Sequence, residues 1–243
     1  MSLNEVKDFL ASASDDERRA LLRVLREEYR CVLHPLEAKW TTTAEAVLEA
    51  ISQSPDITQR GVRGILAEAT FRTTVVPEIL KGWDEVPFEG ETAYDLLLDD
   101  GSGVVRVQVK LQRKERQVPK LYFKDDPSVF VVETQRTRSG KKRKKKGSKG
   151  DSDQERNGLL LAQDVVTEDQ EATRPYRVDE FDVLAVCLHP STSDWRDFAY
   201  CAVSDLLVRK ASPGLLEVLQ PVYLDESHGW SKDFNRAVSR FRG

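Results

Sequence analysis

Residues 96 to 111, LLLDDGSGVVRVQVKL, place alternating apolar side chains on either side of a glycine-serine pair, and this stretch limits the fold more than any other. A two-residue Gly101-Ser102 loop, with glycine first as a II′ turn requires, makes the numbers of opposed residues sum to 203. Asp95 then faces Gln108. Strand alternation puts Gln108 and Lys110 on one face and Leu96, Leu98, Val105, Val107, Val109 and Leu111 on the other. Burying six such side chains is worth on the order of 10 kcal/mol before entropy is subtracted, so the apolar face fixes the register. An Asp100-Gly101 loop would shift the pairing by two and keep the same faces, whereas a three-residue loop would not.

The rest of the chain supplies layers for this hairpin. Residues 1 to 56 are expected to form an N-terminal helical region: SLNEVKDFL, SDDERRALLRVLREEYRCVL and TTTAEAVLEAISQS all carry apolar residues at helical spacing. Ser14 followed by Glu17 has the spacing of a capping box. After the SPD break, TQRGVRGILAEATFR resumes the helical pattern. Helices joined by short turns admit a DNA-reading helix-turn-helix, but a packing layer is the commoner use and is the expectation here. From residue 72 onward the texture is that of strands: TVVPEIL, the hairpin, SVFVVETQ, FDVLAVCLH and DFAYCAVSDLL. Trp230, Phe234, Ala237, Val238 and Phe241 then suggest an amphipathic closing helix. The expected fold is α/β, a central mixed sheet flanked by helices, with residues 57 to 243 as one domain.

The bulk charge of −4 hides a strong polarity. Between Arg106 and Lys149 stand 16 Lys/Arg against 4 Asp/Glu, a local +12, and the remainder carries −16. Such a chain can turn a basic surface to a polyanion while its acidic remainder keeps it soluble. Residues 136 to 157, RTRSGKKRKKKGSKGDSDQERN, contain no apolar side chain and are expected to form a mobile loop. No apolar run approaches the roughly 20 residues of a membrane span, and the first residues lack signal-peptide character. The expected compartment is the cytoplasm. Cys31, Cys187 and Cys201 are too few and too scattered for a disulfide framework. The Cys31/His34 and Cys187/His189 spacings lack the paired C-x-x-C of structural zinc sites, so buried cysteine is the better reading.

The polar face of the hairpin asks for chemistry. Asp95 and the Gln108 amide oxygen are hard ligands of the kind Mg²⁺ takes, with water and a substrate phosphate filling the other positions. A cation there would polarise a phosphodiester and acidify water, and Lys110 would stabilise the developing charge. A further acid is expected in Glu68, on the helix just before the sheet and on the side opposite Leu66 and Ala69. The bland reading is a cross-strand ion pair on an exposed sheet with a solvated glutamate beside it. A second placement, Asp125 or Asp126 with Glu133 and Gln135, lacks both a lysine and a tight turn.

YDLLLDDGSGVVRVQVK resembles the core motif of the PD-(D/E)XK nuclease superfamily, in the variant with glutamine in place of the second acid. At the level of layout the resemblance covers roughly residues 61 to 205, and at the level of motif Asp95, Gln108 and Lys110. Tyr94 stands where the family has proline, and Gln108 where it commonly has glutamate. The order of elements is similar to that of type II restriction endonucleases. The resemblance implies Mg²⁺-dependent, sequence-specific cleavage of double-stranded DNA to 5′-phosphate and 3′-hydroxyl ends, by a homodimer if the target is two-fold symmetric. Asp95, Gln108, Lys110 and Glu68 would be catalytic, with Asp95, Gln108 and Glu68 holding the metal.

For the DNA, Gln135, Arg136 and Arg138 are the candidates for base edges, while Lys141, Lys142, Arg143 and Lys114 suit phosphates. Two other readings stay open: a structure-selective junction resolvase or repair nuclease, and a DNA-binding protein without catalysis.

Overall fold

A computed structural model describes residues 3–29, 34–116, 118–136 and 174–243. The chain divides into two compact units, Met1–Val62 and Arg63–Gly243. The first holds α1 (Leu3–Ser12), α2 (Asp15–Glu27), α3 (Pro35–Trp40), α4 (Ala44–Ser52) and the start of α5 (Asp56–Thr70). Ser14 and Glu17 form the expected capping box at the head of α2. Among the described residues of this unit Ala13 alone is buried, and Phe9, Leu22, Trp40 and Leu48 are exposed. The unit boundary falls inside α5, later than the sequence placed it.

The second unit begins with the end of α5, which runs directly into a π-helical segment, Phe71–Ile79. This overturns the expectation of a strand over TVVPEIL. The β-branched residues favour a strand locally, but Phe71, Val75 and Val76 bury together only if the chain stays helical. The widened turns also accommodate Pro77 inside the helix, and Leu80 N–H closes the segment on Val75 O, five residues back, at 2.9 Å.

The strands follow in order: β1 (Asp84–Glu85), β2 (Leu96–Asp99), β3 (Val104–Leu111), β4 (Lys114–Glu115), β5 (Val118–Pro119), β6 (Val129–Glu133), β7 (Gln135–Arg136), β8 (Arg174–Pro175) and β9 (Val183–Cys187). After the short α6 (His189–Thr192) come β10 (Phe198–Ala202), β11 (Val208–Arg209), β12 (Ser212–Leu216), β13 (Leu219–Tyr223), β14 (Trp230–Ser231) and α7 (Phe234–Arg242). Six strands make the central sheet in the order β1-β2-β3-β9-β10-β14. Only β3 and β9 run parallel, so the sheet is mixed. Trp230 belongs to β14, paired with Cys201, and not to the closing helix, which starts after the Asp233 N-cap.

Both faces of the sheet are covered, which explains the unbroken apolar runs of β9 and β10. On one face Val105, Val107, Val109, Val183, Ala185, Phe198 and Tyr200 pack against α5, the π segment and α7. Phe71 meets Phe198 and Tyr200 with ring centroids 5.0 and 6.3 Å away, and Tyr200 meets Phe234 at 5.2 Å. On the other face Leu184, Val186, Ala199 and Cys201 pack against Val132 of β6, Val222 of β13, Tyr176 and Phe181. Cys187 and Cys201 are buried free thiols, and burial pushes Cys187 up to about 12. Among the described residues no helix is long and apolar enough to cross a membrane. Cys31, Arg138, Lys141, Lys142 and Arg143, with most of the basic tract, lie outside the described residues.

Candidate active site

The hairpin register is the one the alternation demands: Leu96 pairs with Val107, Leu98 with Val105 and Asp99 with Val104. Leu96, Leu98, Val105, Val107 and Val109 are buried in the first core, with Leu111 at its margin. From Arg106 onward the even positions of β3 form a polar stripe on the other face: Arg106, Gln108, Lys110 and, just beyond the strand, Gln112. Arg106 is taken by Asp182, which accepts from its backbone N–H at 2.7 Å, its Nε at 3.1 Å and its Nη2 at 2.6 Å.

Asp95 lies one residue before β2. Its backbone N–H still bonds Val107 O at 3.0 Å, but its side chain replaces the next rung of the ladder. Asp95 Oδ2 accepts the Val109 N–H at 2.8 Å and the Gln108 Nε2–H as well. Gln108 is 2% exposed, and its Nε2 also donates to Val109 O at 3.1 Å. This differs from a pair of metal ligands, because Gln108 turns its amide nitrogen, not its oxygen, to the carboxylate. Holding a cation between them requires the amide to rotate.

Glu68 reaches the same place from α5. The side of the helix expected to be apolar is not the buried one: Leu66 is 43% exposed and Ala69 is exposed, while Ala67 is fully buried. Glu68, next to that contact, is half-buried and lies in the field of both Asp95 and Lys110. Burial first, and then the Asp95 charge, push the Glu68 carboxyl above its usual range; Arg72 and Lys110 oppose the shift. Burial likewise raises Asp95, against Lys110, the Val109 N–H and Arg72. Burial lowers Lys110, against the charges of Asp95, Glu68 and Glu133. Lys110 Nζ also stands 5.3 Å from the centroid of the buried Tyr176 ring.

Two participants, Arg72 and Tyr176, were not singled out in the sequence, and a third, Glu133, was named only in the second placement. Arg72 donates to Asp95 O at 2.8 Å through Nη2, to Glu85 Oε1 at 2.8 Å through Nε and to Glu68 Oε1 at 3.4 Å through Nη1. Its four-residue spacing from Glu68 on a helix was a readable sign. Glu133 is held by Arg113 Nη1 at 2.7 Å and by Gln135 Nε2. Tyr176 comes from a distant stretch and carried no signal. Of the second placement, Glu133 and Gln135 stay bonded to each other, while Asp126 caps a turn elsewhere, accepting Ser128 N–H at 2.9 Å and Ser128 Oγ–H at 2.6 Å. Among the residues expected to meet DNA, Gln135 and the backbone of Arg136 lie on β7, beside Glu133. Lys114 lies on β4; burial of His189 first, and then the Lys114 charge, lower that imidazole. His189 is stacked on Trp195 with centroids 3.9 Å apart.

Among the described residues no cluster of three or more His, Cys, Asp and Glu side chains is gathered for a metal. The donor set is smaller, namely two carboxylates, of which Asp95 raises the proton affinity of Glu68, with an amide between the strands. That set fits Mg²⁺, which commonly takes one or two carboxylates and leaves its other positions to water and substrate phosphate. No protein-family model, curated protein or solved structure matches the chain.

Proposed function

We propose that the protein is a Mg²⁺-dependent, sequence-specific endonuclease of double-stranded DNA with the PD-(D/E)XK chemistry of type II restriction enzymes. One observation carries the reading. Glu68, Asp95 and Lys110, from a helix, a strand entrance and a neighbouring strand, meet in a single half-buried site, where Arg72 bridges Glu68 Oε1 and the Asp95 main-chain oxygen and Lys110 feels the charge of both acids. An exposed cross-strand ion pair would not raise two acids and lower a lysine by burial.

Asp95 and Glu68 would hold Mg²⁺, joined by Gln108 once its amide has turned. The cation supplies neutralisation of phosphate charge during an in-line displacement. Lys110 would orient the attacking water and meet charge developing on the phosphorus oxygens, and its lowered proton affinity suits it to exchange a proton. Water adds to phosphorus as the bond to the 3′ oxygen breaks and that oxygen takes a proton, leaving 5′-phosphate and 3′-hydroxyl ends. Gln135, Arg136 and Arg138 would read base edges, with Lys141, Lys142, Arg143 and Lys114 on the backbone. A two-fold symmetric target would call for a homodimer.

The test is incubation of the purified protein with phage DNA, with Mg²⁺ and with chelator. Discrete Mg²⁺-dependent fragments support the proposal, and a smear points to a nuclease without sequence choice. Four-way junctions cut in preference to linear duplex would indicate a resolvase. The non-catalytic reading is favoured by one contact, the Gln108 amide nitrogen on Asp95, where the commoner motif has a second acid. Under that reading DNA is bound and left intact, and Lys110→Ala leaves DNA binding unchanged.

A further inference from the structure

Arg72 makes three contacts that no other residue of the site combines. Phe71, fully buried against Phe198 and Tyr200, anchors the start of the π segment on the sheet. The next residue, Arg72, spends its guanidinium on acceptors from three elements. Nη2 holds the main-chain oxygen of Asp95 at 2.8 Å, Nε holds Glu85 of β1 at 2.8 Å, and Nη1 reaches Glu68 of α5 at 3.4 Å. Glu85 is itself fixed by the pairing of β1 with β2, Glu85 opposite Leu98. A planar fork that is always charged holds three separated acceptors from different atoms in a fixed geometry, whereas an ammonium offers its three donors from a single rotatable nitrogen.

We propose that Arg72 is the positioning residue of the site, tying Glu68 and the Asp95 main chain to β1 so that the two acids are set for a cation before one arrives. The proposal rests on the metal-dependent reading above. Arg72 itself contacts neither the cation nor DNA in this scheme. Its effect is exerted through Glu68 and Asp95, as the outer partners of metal ligands commonly act.

The experiment is calorimetric titration of Mn²⁺ into the DNA-free full chain, for wild type, Arg72→Lys and Glu85→Gln, with melting in chelator alongside. Arg72→Lys keeps the charge and loses the fork. It is expected to weaken Mn²⁺ binding about tenfold or more and, in cleavage, to lower kcat while KM for DNA stays the same. Glu85→Gln leaves Arg72 in place but removes an anchor, so it should shift Mn²⁺ affinity the same way by less, even if Arg72→Lys folds poorly. Wild-type Mn²⁺ affinity in both variants would overturn the positioning role and leave the nuclease reading standing. No Mn²⁺ uptake by the wild type would overturn the metal-dependent reading, and this inference with it.

Discussion

Arg242, in the last turn of α7, grips Asp100 in the turn of the β2–β3 hairpin: Nη1 donates to Oδ2 at 2.8 Å and Nη2 to Oδ1 at 3.1 Å. The same guanidinium donates to Ser102 Oγ and to Gly103 O, both at 2.6 Å, and lies over Trp83. The closing helix thus pins the hairpin that carries the candidate site. Bonds from Arg242 and Ser102 hold the Asp100 carboxyl far below the usual carboxylate range.

Arg242→Ala should therefore lower the melting temperature at neutral pH. A depressed folded pKa gives stability that is full above the unfolded value and lost as pH falls through the folded one. The gap between variant and wild type should be constant above about pH 4 and narrow steadily below it. Melting curves at several pH values check this. A gap that widens on acidification would contradict it.

The sheet was legible where burial enforces parity. A one-residue slip in β3 would have moved Val105, Val107 and Val109 out of the core, so the pairing sum could be written from the alternation alone. The β-branched run at 73–76 misled for the opposite reason. Its helical state is set in part by Phe71 meeting Phe198 and Tyr200, more than a hundred positions later. Trp230 misled similarly, since its strand pairing depends on Cys201.

Asp95 and Lys110 were legible because hairpin geometry is local, whereas Glu68 was named from a helix face whose Leu66 stays exposed. The orientation of the Gln108 amide was not legible. It follows from Asp95 having stepped out of the strand, so that a carboxylate replaces a backbone carbonyl as the partner of Val109 N–H. Glu133 and Tyr176 reach Lys110 only through the packing of β6 and of the segment before β9.

Gln108→Glu tests the site without DNA. It replaces a buried donor to Asp95 by a second carboxylate. In chelator the variant should lose about 3 kcal/mol, a drop of several degrees in Tm. Added Mg²⁺ should recover much of that loss and stabilise the variant more than wild type, because a cation then meets three acids. Thermal melts with and without Mg²⁺ decide it. Equal Mg²⁺ responses would mean that no cation sits between residues 95 and 108.

Glu68→Gln should do the reverse in chelator. An acid whose folded pKa is raised costs stability above that pKa and costs nothing below the unfolded value. Removing its charge should raise Tm at pH 7 to 8, and the gain should fade as pH drops through the raised pKa of Glu68. The same variant should lose Mg²⁺-dependent cleavage, the trade expected where function keeps strained charges together. A Tm gain that persists at pH 3 would assign the effect to packing instead.

The basic tract answers to salt. Residues 141 to 149 contain seven Lys/Arg, and each one that neutralises a phosphate on duplex DNA adds roughly 0.9 to the slope of log affinity against log salt. Deleting the nine residues should flatten that slope by about five if six of the seven meet the backbone. Sequence preference should survive, because Gln135 and Arg136 remain on β7. Binding in Ca²⁺ across a range of salt is the measurement, since Ca²⁺ is expected to support association while supporting cleavage poorly. An unchanged slope would place these lysines away from the DNA and leave the charge on Arg113, Lys114 and their neighbours to account for binding.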